Sequence, residues 1–126
     1  MNDGAATLLV VDDEEAIRRS MRKYLTLQGY EVAVAASGEE ALTVLGRQKI
    51  AALLLDVNLP GINGLDATRQ ILAERADPVI VLLLSTYEEE EYAPRAAECG
   101  AAAYIPKAVF GPDRLEAAWA DARSTA

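Results

Sequence analysis

Apolar residues along the chain gather into five short runs, separated by longer stretches in which they recur at helical spacing. The runs are Leu8-Leu9-Val10-Val11, Val32-Ala33-Val34-Ala35, Ala52-Leu53-Leu54-Leu55, Val79-Ile80-Val81-Leu82-Leu83-Leu84 and Ala102-Ala103-Tyr104-Ile105. Most show no alternation of apolar and polar positions. That pattern belongs to strands buried on both faces, as a parallel sheet covered by helices requires.

The intervening stretches carry helix punctuation. In the first, Ile17, Met21 and Leu25 share a face and Gly29 ends the helix. The second opens on Ser37 and Glu40, a capping box, and continues through Ala41, Leu42 and Leu45. The third begins near Asn63-Gly64, with Leu65, Thr68 and Leu72 on one side. The fifth has Pro112 at a first-turn position, followed by Leu115, Ala118, Trp119 and Ala122. The fourth is less regular: the acids Glu88 to Glu91 suit a helix start, Pro94 follows, and Gly100 closes it. A proline inside a helix costs roughly 3 kcal/mol or more, so the helix either starts close to Pro94 or is kinked there.

Strand and helix thus alternate five times, with no linker or repeat between them. The pattern predicts one α/β domain over residues 1–126, core about 6–123, folded as a doubly wound (βα)5 three-layer sandwich. The 126 residues, 52% of them hydrophobic, suffice for a substantial core. A net charge of −8 argues against direct nucleic-acid binding. Histidine is absent and Cys99 is the sole cysteine, which excludes His-based triads, intrachain disulfides and Cys/His metal sites. Cys99 reads as a small buried helix residue. No apolar run is long enough to span a bilayer, and a cytoplasmic setting is expected.

In such sheets, chemistry gathers beyond the carboxyl ends of the strands. Asp12-Asp13 follow the first strand, Asp56 ends the third, Ser85 follows the fourth and Lys107 the fifth. The second strand brings no obvious polar group. Carboxylates gathered in one place repel one another unless a cation joins them. An oxygen-only donor set favours a hard cation such as Mg2+. Asp12-Asp13 alone could simply cap the first helix, but Asp56, directly after Leu53-Leu54-Leu55, is an acid on an apolar strand and needs a partner. Lys107 supplies a point charge for phosphate oxygens or for the acids themselves, and Ser85 supplies a hydroxyl donor. Together the groups describe phosphoryl transfer to a carboxylate, with Asp56 as nucleophile.

Four segments in order carry a resemblance to a known family: Val10-Val11-Asp12-Asp13, Leu55 to Gly64, Leu84-Ser85-Thr86-Tyr87, and Gly100 to Lys107. With them the chain resembles, over nearly its whole length, the response-regulator receiver domains of two-component systems, the CheY-like fold. The resemblance implies a flavodoxin-like parallel sheet of order 2-1-3-4-5. It also implies roles. Asp56 matches the phosphoacceptor, Asp13 the direct metal ligand, and Asp12 the acid reaching the metal through water. Asn58 matches the residue whose backbone carbonyl completes the site for Mg2+ (or Mn2+). Ser85 matches the switch hydroxyl, Lys107 the phosphate-sensing lysine, and Tyr104 the aromatic that changes rotamer on activation.

By the same resemblance, the donor is a histidine kinase or phosphotransfer protein docking on the first helix, near Arg18, Arg19, Arg22 and Lys23. Output would run through the face of the fourth helix, fifth strand and fifth helix, to an output domain, a downstream protein or a second copy on phosphorylation. Direct nucleic-acid binding and membrane association are not expected. Three positions depart from the pattern. Ala108 stands where many members have a proline after the lysine; a cis Lys107–Ala108 bond would cost about 2.5–4 kcal/mol, so a trans bond is expected. Thr86 replaces a common alanine and could share the role of Ser85. Pro94 lies in the output helix.

Other readings compete. One is a pseudo-receiver, an interaction module that keeps the fold without being phosphorylated; the intact Asp12, Asp13, Asp56, Ser85 and Lys107 speak against it. A haloacid-dehalogenase-like phosphatase would carry its nucleophile in a D-x-D pattern at the end of the first strand, whereas here the run is Asp12-Asp13 and the isolated acid ends the third strand; a dinucleotide-binding domain would need a glycine-rich turn after the first strand.

Overall fold

The computed structural model describes residues 6–59, 61–74, 79–85, 89–107, 111, 113, 114, 117 and 118, with the backbone alone at 89–92. The apolar runs form strands β1 (Thr7–Val11), β2 (Glu31–Ala35), β3 (Ala52–Asp56), β4 (Ile80–Ser85) and β5 (Ala103–Pro106). The last two begin and end one residue later than the apolar runs, because backbone pairing extends to Ser85 and Pro106, which face each other. All pairs are parallel, in the order β2-β1-β3-β4-β5. Helices α1 (Glu15–Leu27), α2 (Gly38–Arg47), α3 (Gly64–Glu74) and α4 (Glu89–Glu98) connect them.

Alternate strand residues enter two cores. Leu9, Val11, Leu53, Leu55, Val81 and Leu83 pack with Ala41, Leu45, Ile71 and Ala96 of α2, α3 and α4. Leu8, Val10, Leu54, Leu82 and Ile105 pack on the other face with Leu25 and Tyr30 at the end of α1. Of the three residues expected to share a face on α1, Leu25 is fully buried, while Ile17 and Met21 are half-buried.

The helix ends follow the sequence signals. Ser37 Oγ accepts from Glu40 N–H at 3.1 Å, and Glu40 Oε1 reaches back to Ala36 N–H at 2.7 Å, one residue before the cap. Asn63 caps α3 by accepting from Asp66 N–H at 2.9 Å. Gly29 and Gly100 adopt φ of +98° and +99°. There they close α1 and α4 with paired back-bonds, such as Tyr30 N–H to Leu25 O and Ala101 N–H to Ala96 O.

Pro94 lies inside α4, which starts five residues before it, so the helix does not begin at the proline. Lacking an N–H, Pro94 leaves the Glu90 carbonyl without its helical donor. Among the described residues no peptide bond is cis; the Lys107–Ala108 bond, Thr86 and Tyr87 lie outside them. So does most of the expected fifth helix, including Pro112, Leu115, Trp119 and Ala122, although residues 113–114 and 117–118 are helical and Ala118 is buried. Among the described residues no helix is long and apolar enough to cross a membrane.

Candidate functional site

Strand register builds the site. Val11 pairs with Leu55, so Asp12 and Asp56 come next to each other at the carboxyl edge. Asp56 in turn pairs with Leu84, which brings Ser85 one step beyond it on β4. Ser85 pairs with Pro106, and Lys107 follows. The β1–β3 boundary is also where the strand order reverses, the crevice in which open α/β sheets bind ligands. Strand β2 contributes only the Ala35 carbonyl, which accepts from Asp12 N–H at 3.1 Å.

Carboxylate oxygens of Asp12, Asp13 and Asp56 lie within 4.8 Å of one another. Asp12 and Asp56 are buried, at 2% and 6% exposure, and Asp13 is exposed. Lys107 Nζ sits 2.9 Å from Asp12 Oδ2 and 3.4 Å from Asp56 Oδ2. The lysine expected to serve the phosphoacceptor is thus held more closely by its neighbour. Asp56 Oδ1 also accepts from Asn58 N–H at 3.2 Å, and Asp12 Oδ1 from Glu14 N–H at 3.0 Å.

Burial and the shared ammonium act against each other on the two titrations, and a different one prevails at each group. Burial pushes the Asp56 carboxyl above its usual range, with Asp12 adding to the rise, and the Asn58 amide and Lys107 only partly oppose it. For Lys107 burial acts downward, but the two carboxylates outweigh it and its pKa rises. Three carboxylates facing a single ammonium, among the described residues, leave the cluster short of positive charge. Oxygen donors arranged this way suit a small hard divalent cation.

Ser85 is completely buried at the end of β4. Tyr104, at 6% exposure, packs in the core on the α4 side of the sheet. Asn58 is exposed in the loop after β3. The structure therefore brings Asp12, Asp13, Asp56 and Lys107 together, sets Asn58 and Ser85 beside them, and holds Tyr104 on the neighbouring strand; Thr86 lies outside the described residues.

Two site-forming residues carried no such signal in the sequence. Arg18, which reads as part of a charged helix face, donates from Nη1 to the Asp12 carbonyl at 2.8 Å and ties the acidic loop to α1. Gly64, which reads as a helix start, packs on the backbone of Asp56: a Cβ there would collide with the Asp56 carbonyl oxygen and lie 2.6 Å from Val57 Cα. Its N–H also donates to Val57 O at 2.8 Å. A glycine at the expected start of the third helix was the visible hint of that close approach.

Residues 8–120 match the response regulator receiver domain family. The chain belongs to this family. As a receiver domain it is a component of two-component signalling rather than a conventional enzyme, and its fold is CheY-like. It is 39% identical over 105 residues to the transcriptional regulatory protein AfsQ1 of Streptomyces coelicolor, covering 83% of this chain and 46% of that protein. The receiver thus spans less than half the length of the curated relatives it matches.

Among solved structures it is similar to the chemotaxis protein CheY4 of Vibrio cholerae, with a TM-score of 0.81, 28% identity, and coverage of 93% of this chain and 98% of that one. The response regulator TrrA of Thermotoga maritima, solved in complex with Mg(2+)-BeF, gives a TM-score of 0.79 at 29% identity, covering 92% of this chain and 98% of that one.

Proposed function

We propose that this receiver accepts a phosphoryl group on Asp56 from a phosphohistidine of a histidine kinase or phosphotransfer protein, and changes partner binding as a result. The observation that carries the proposal is the buried Asp56 carboxylate, 3.4 Å from Lys107 Nζ, within a cluster of three acids. An Asp56 oxygen attacks phosphorus, the phosphorus–nitrogen bond breaks, and the imidazole leaves.

Asp12, Asp13, Asp56 and the Asn58 backbone carbonyl would hold Mg2+ or Mn2+. Bound there, the cation offsets charge on the transferring group. Lys107 turns from Asp12 toward the new phosphoryl oxygens as their counter-charge. Ser85 donates its hydroxyl to one of them, with Thr86 as a second donor. Asn58 N–H orients the acceptor carboxylate before transfer.

The modification adds about −1.5 to −2 charge units, so the local groups must rearrange around it. Output runs through Ser85 and Tyr104 to the face of α4, β5 and the helix beyond. A groove of about 350 Å3 beside Tyr104, lined by Ala93, Ala97 and Ala101, supports this reading because it gives that side chain room to respond. An output domain, a downstream protein or a second receiver would read the altered face. The AfsQ1 relationship favours a transcriptional regulator as the whole protein.

The test is incubation with Mg2+ and acetyl phosphate, followed by intact mass and by the same measurement on Asp56→Asn. One added phosphoryl group, lost in the variant, is expected. No modification from acetyl phosphate or from a cognate kinase would instead establish an unphosphorylated interaction module. Tyr104→Ala should alter partner affinity and leave phosphorylation intact.

A further inference from the structure

The loop between β3 and α3 supplies Asn58 and directly follows Asp56, so its position decides whether the proposed cation site is formed. One end is fixed by Gly64 against the Asp56 backbone. Further along, two consecutive loop residues meet two consecutive residues of α2. Ile62 fills the space that a side chain at Gly38 would occupy: a Cβ on Gly38 would lie 2.8 Å from Ile62 Cγ1 and 2.9 Å from Cδ1. Gly61, at φ +73°, passes under the Glu39 carboxylate, whose Oε2 would be 3.0 Å from a Cβ there. Gly38 is buried and Ile62 half-buried against the core.

Nothing in α2 needs glycine for its own sake. Gly38 is the first helical residue after the Ser37 cap, a position where the helix itself has no need of glycine. Its value lies in the notch it leaves. The Ser37–Glu40 capping interactions hold that end of α2 still, so the notch is a fixed reference point.

We infer that Gly38 is a positioning residue: with Ile62 it forms a notch and key that sets the β3–α3 loop for cation binding and phosphoryl transfer. The inference rests on the function proposed above. Near-attack geometry and metal ligation tolerate little displacement, and about 1 Å of misplacement can cost on the order of 100-fold.

The test measures Mg2+ affinity by calorimetry, well below the melting temperature, for the parent chain, Gly38→Ala, Ile62→Ala and the double variant, with beryllofluoride binding as a second readout. Gly38→Ala pushes Ile62 out and is expected to weaken Mg2+ binding about 10-fold. Ile62→Ala removes the two nearest atoms, at 2.8 and 2.9 Å, and leaves only the looser contact with Ala67 Cβ at 3.3 Å, so the double variant should bind more tightly than the sum of the single effects allows. A purely structural role would lower the melting temperature without this coupled change in affinity.

If Gly38→Ala does not fold, Ile62→Ala carries the test, with Mg2+ and beryllofluoride affinity both falling when measured well below that variant's own, lower melting temperature. Unchanged affinity in these variants, or simple additivity, beside a parent that binds Mg2+ and is phosphorylated, overturns the notch alone. A parent that neither binds Mg2+ nor takes a phosphoryl group overturns both readings.

Discussion

Helices α3 and α4 leave the same edge of the same sheet, yet they are held in different ways. α3 buries Gly64, Leu65, Ala67, Thr68 and Ile71, and its first residue lies on the backbone of Asp56. Among the described side chains of α4, only Ala96 is buried, with Cys99 just beyond its end. α4 also contains Pro94 and borders an alanine-lined groove. A buried leucine or isoleucine contributes about 1.5–3 kcal/mol, and an alanine far less. The two helices therefore rest on the sheet differently: α3, beside Asp56, is held by large buried side chains, whereas the described side chains of α4 bury little more than Ala96, and the output proposed above would run through the latter.

The largest test of that contrast is chemical. Asp56→Asn is expected to remove phosphorylation completely by intact mass, while Pro94→Ala leaves it in place. Next comes packing. Ile71→Ala, at a fully buried position, should destabilise the domain by about 2–5 kcal/mol in denaturant titration. Ala96→Gly should cost only about 1 kcal/mol. Equal losses would break the distinction between the two helices. Pro94→Ala restores a backbone donor and should stabilise by about 1–3 kcal/mol, with slower amide exchange confined to α4. Exchange slowed equally in α3 would show that the helices are not separate units.

The smallest effects are in pH dependence without added cation. The Lys107 pKa is raised on folding, so its stabilisation is complete below its unfolded value near 10.5 and is lost as pH climbs through the higher folded value. Lys107→Met should flatten that alkaline loss in thermal melts. The Asp56 pKa is also raised, so here too stability falls with pH, but in the acid range, from about 3.8 through the folded value, which leaves its carboxylate destabilising at neutral pH. Asp56→Asn should therefore melt higher than the parent at neutral pH in the absence of Mg2+.

The sheet was readable from the chain because strands buried on both faces must be apolar nearly throughout, as Leu8 to Val11 of β1 and Ala52 to Leu55 of β3 are. The Ser37–Glu40 cap and the glycines closing α1 and α4 were readable because their chemistry is local. Asp12, Asp13, Asp56 and Lys107 were readable because parallel register carries strand-end residues to one edge. What was hidden depends on contacts between distant parts of the chain. Nothing local shows that Arg18 reaches the Asp12 carbonyl, or that Gly38 makes room for Ile62. Pro94 was ambiguous for another reason: its local cost forbids a regular helix, and only the surrounding fold decides that the helix continues through it.

The turn at Gly100 has a mechanical consequence. Its N–H and that of Ala101 fasten the last carbonyls of α4, and Ala102 N–H is bonded to Val81 O at 2.8 Å, so the carboxyl end of α4 is pinned to the sheet beside β5. Any tilt of α4 must then pivot there. A helix of 10 residues is about 15 Å long, so a tilt of about 10° carries its amino end about 2.5 Å while the pivot stays still. The amino end, the tip nearest in sequence to Ser85, is therefore the part of α4 with the longest travel, and the pinned carboxyl end has almost none.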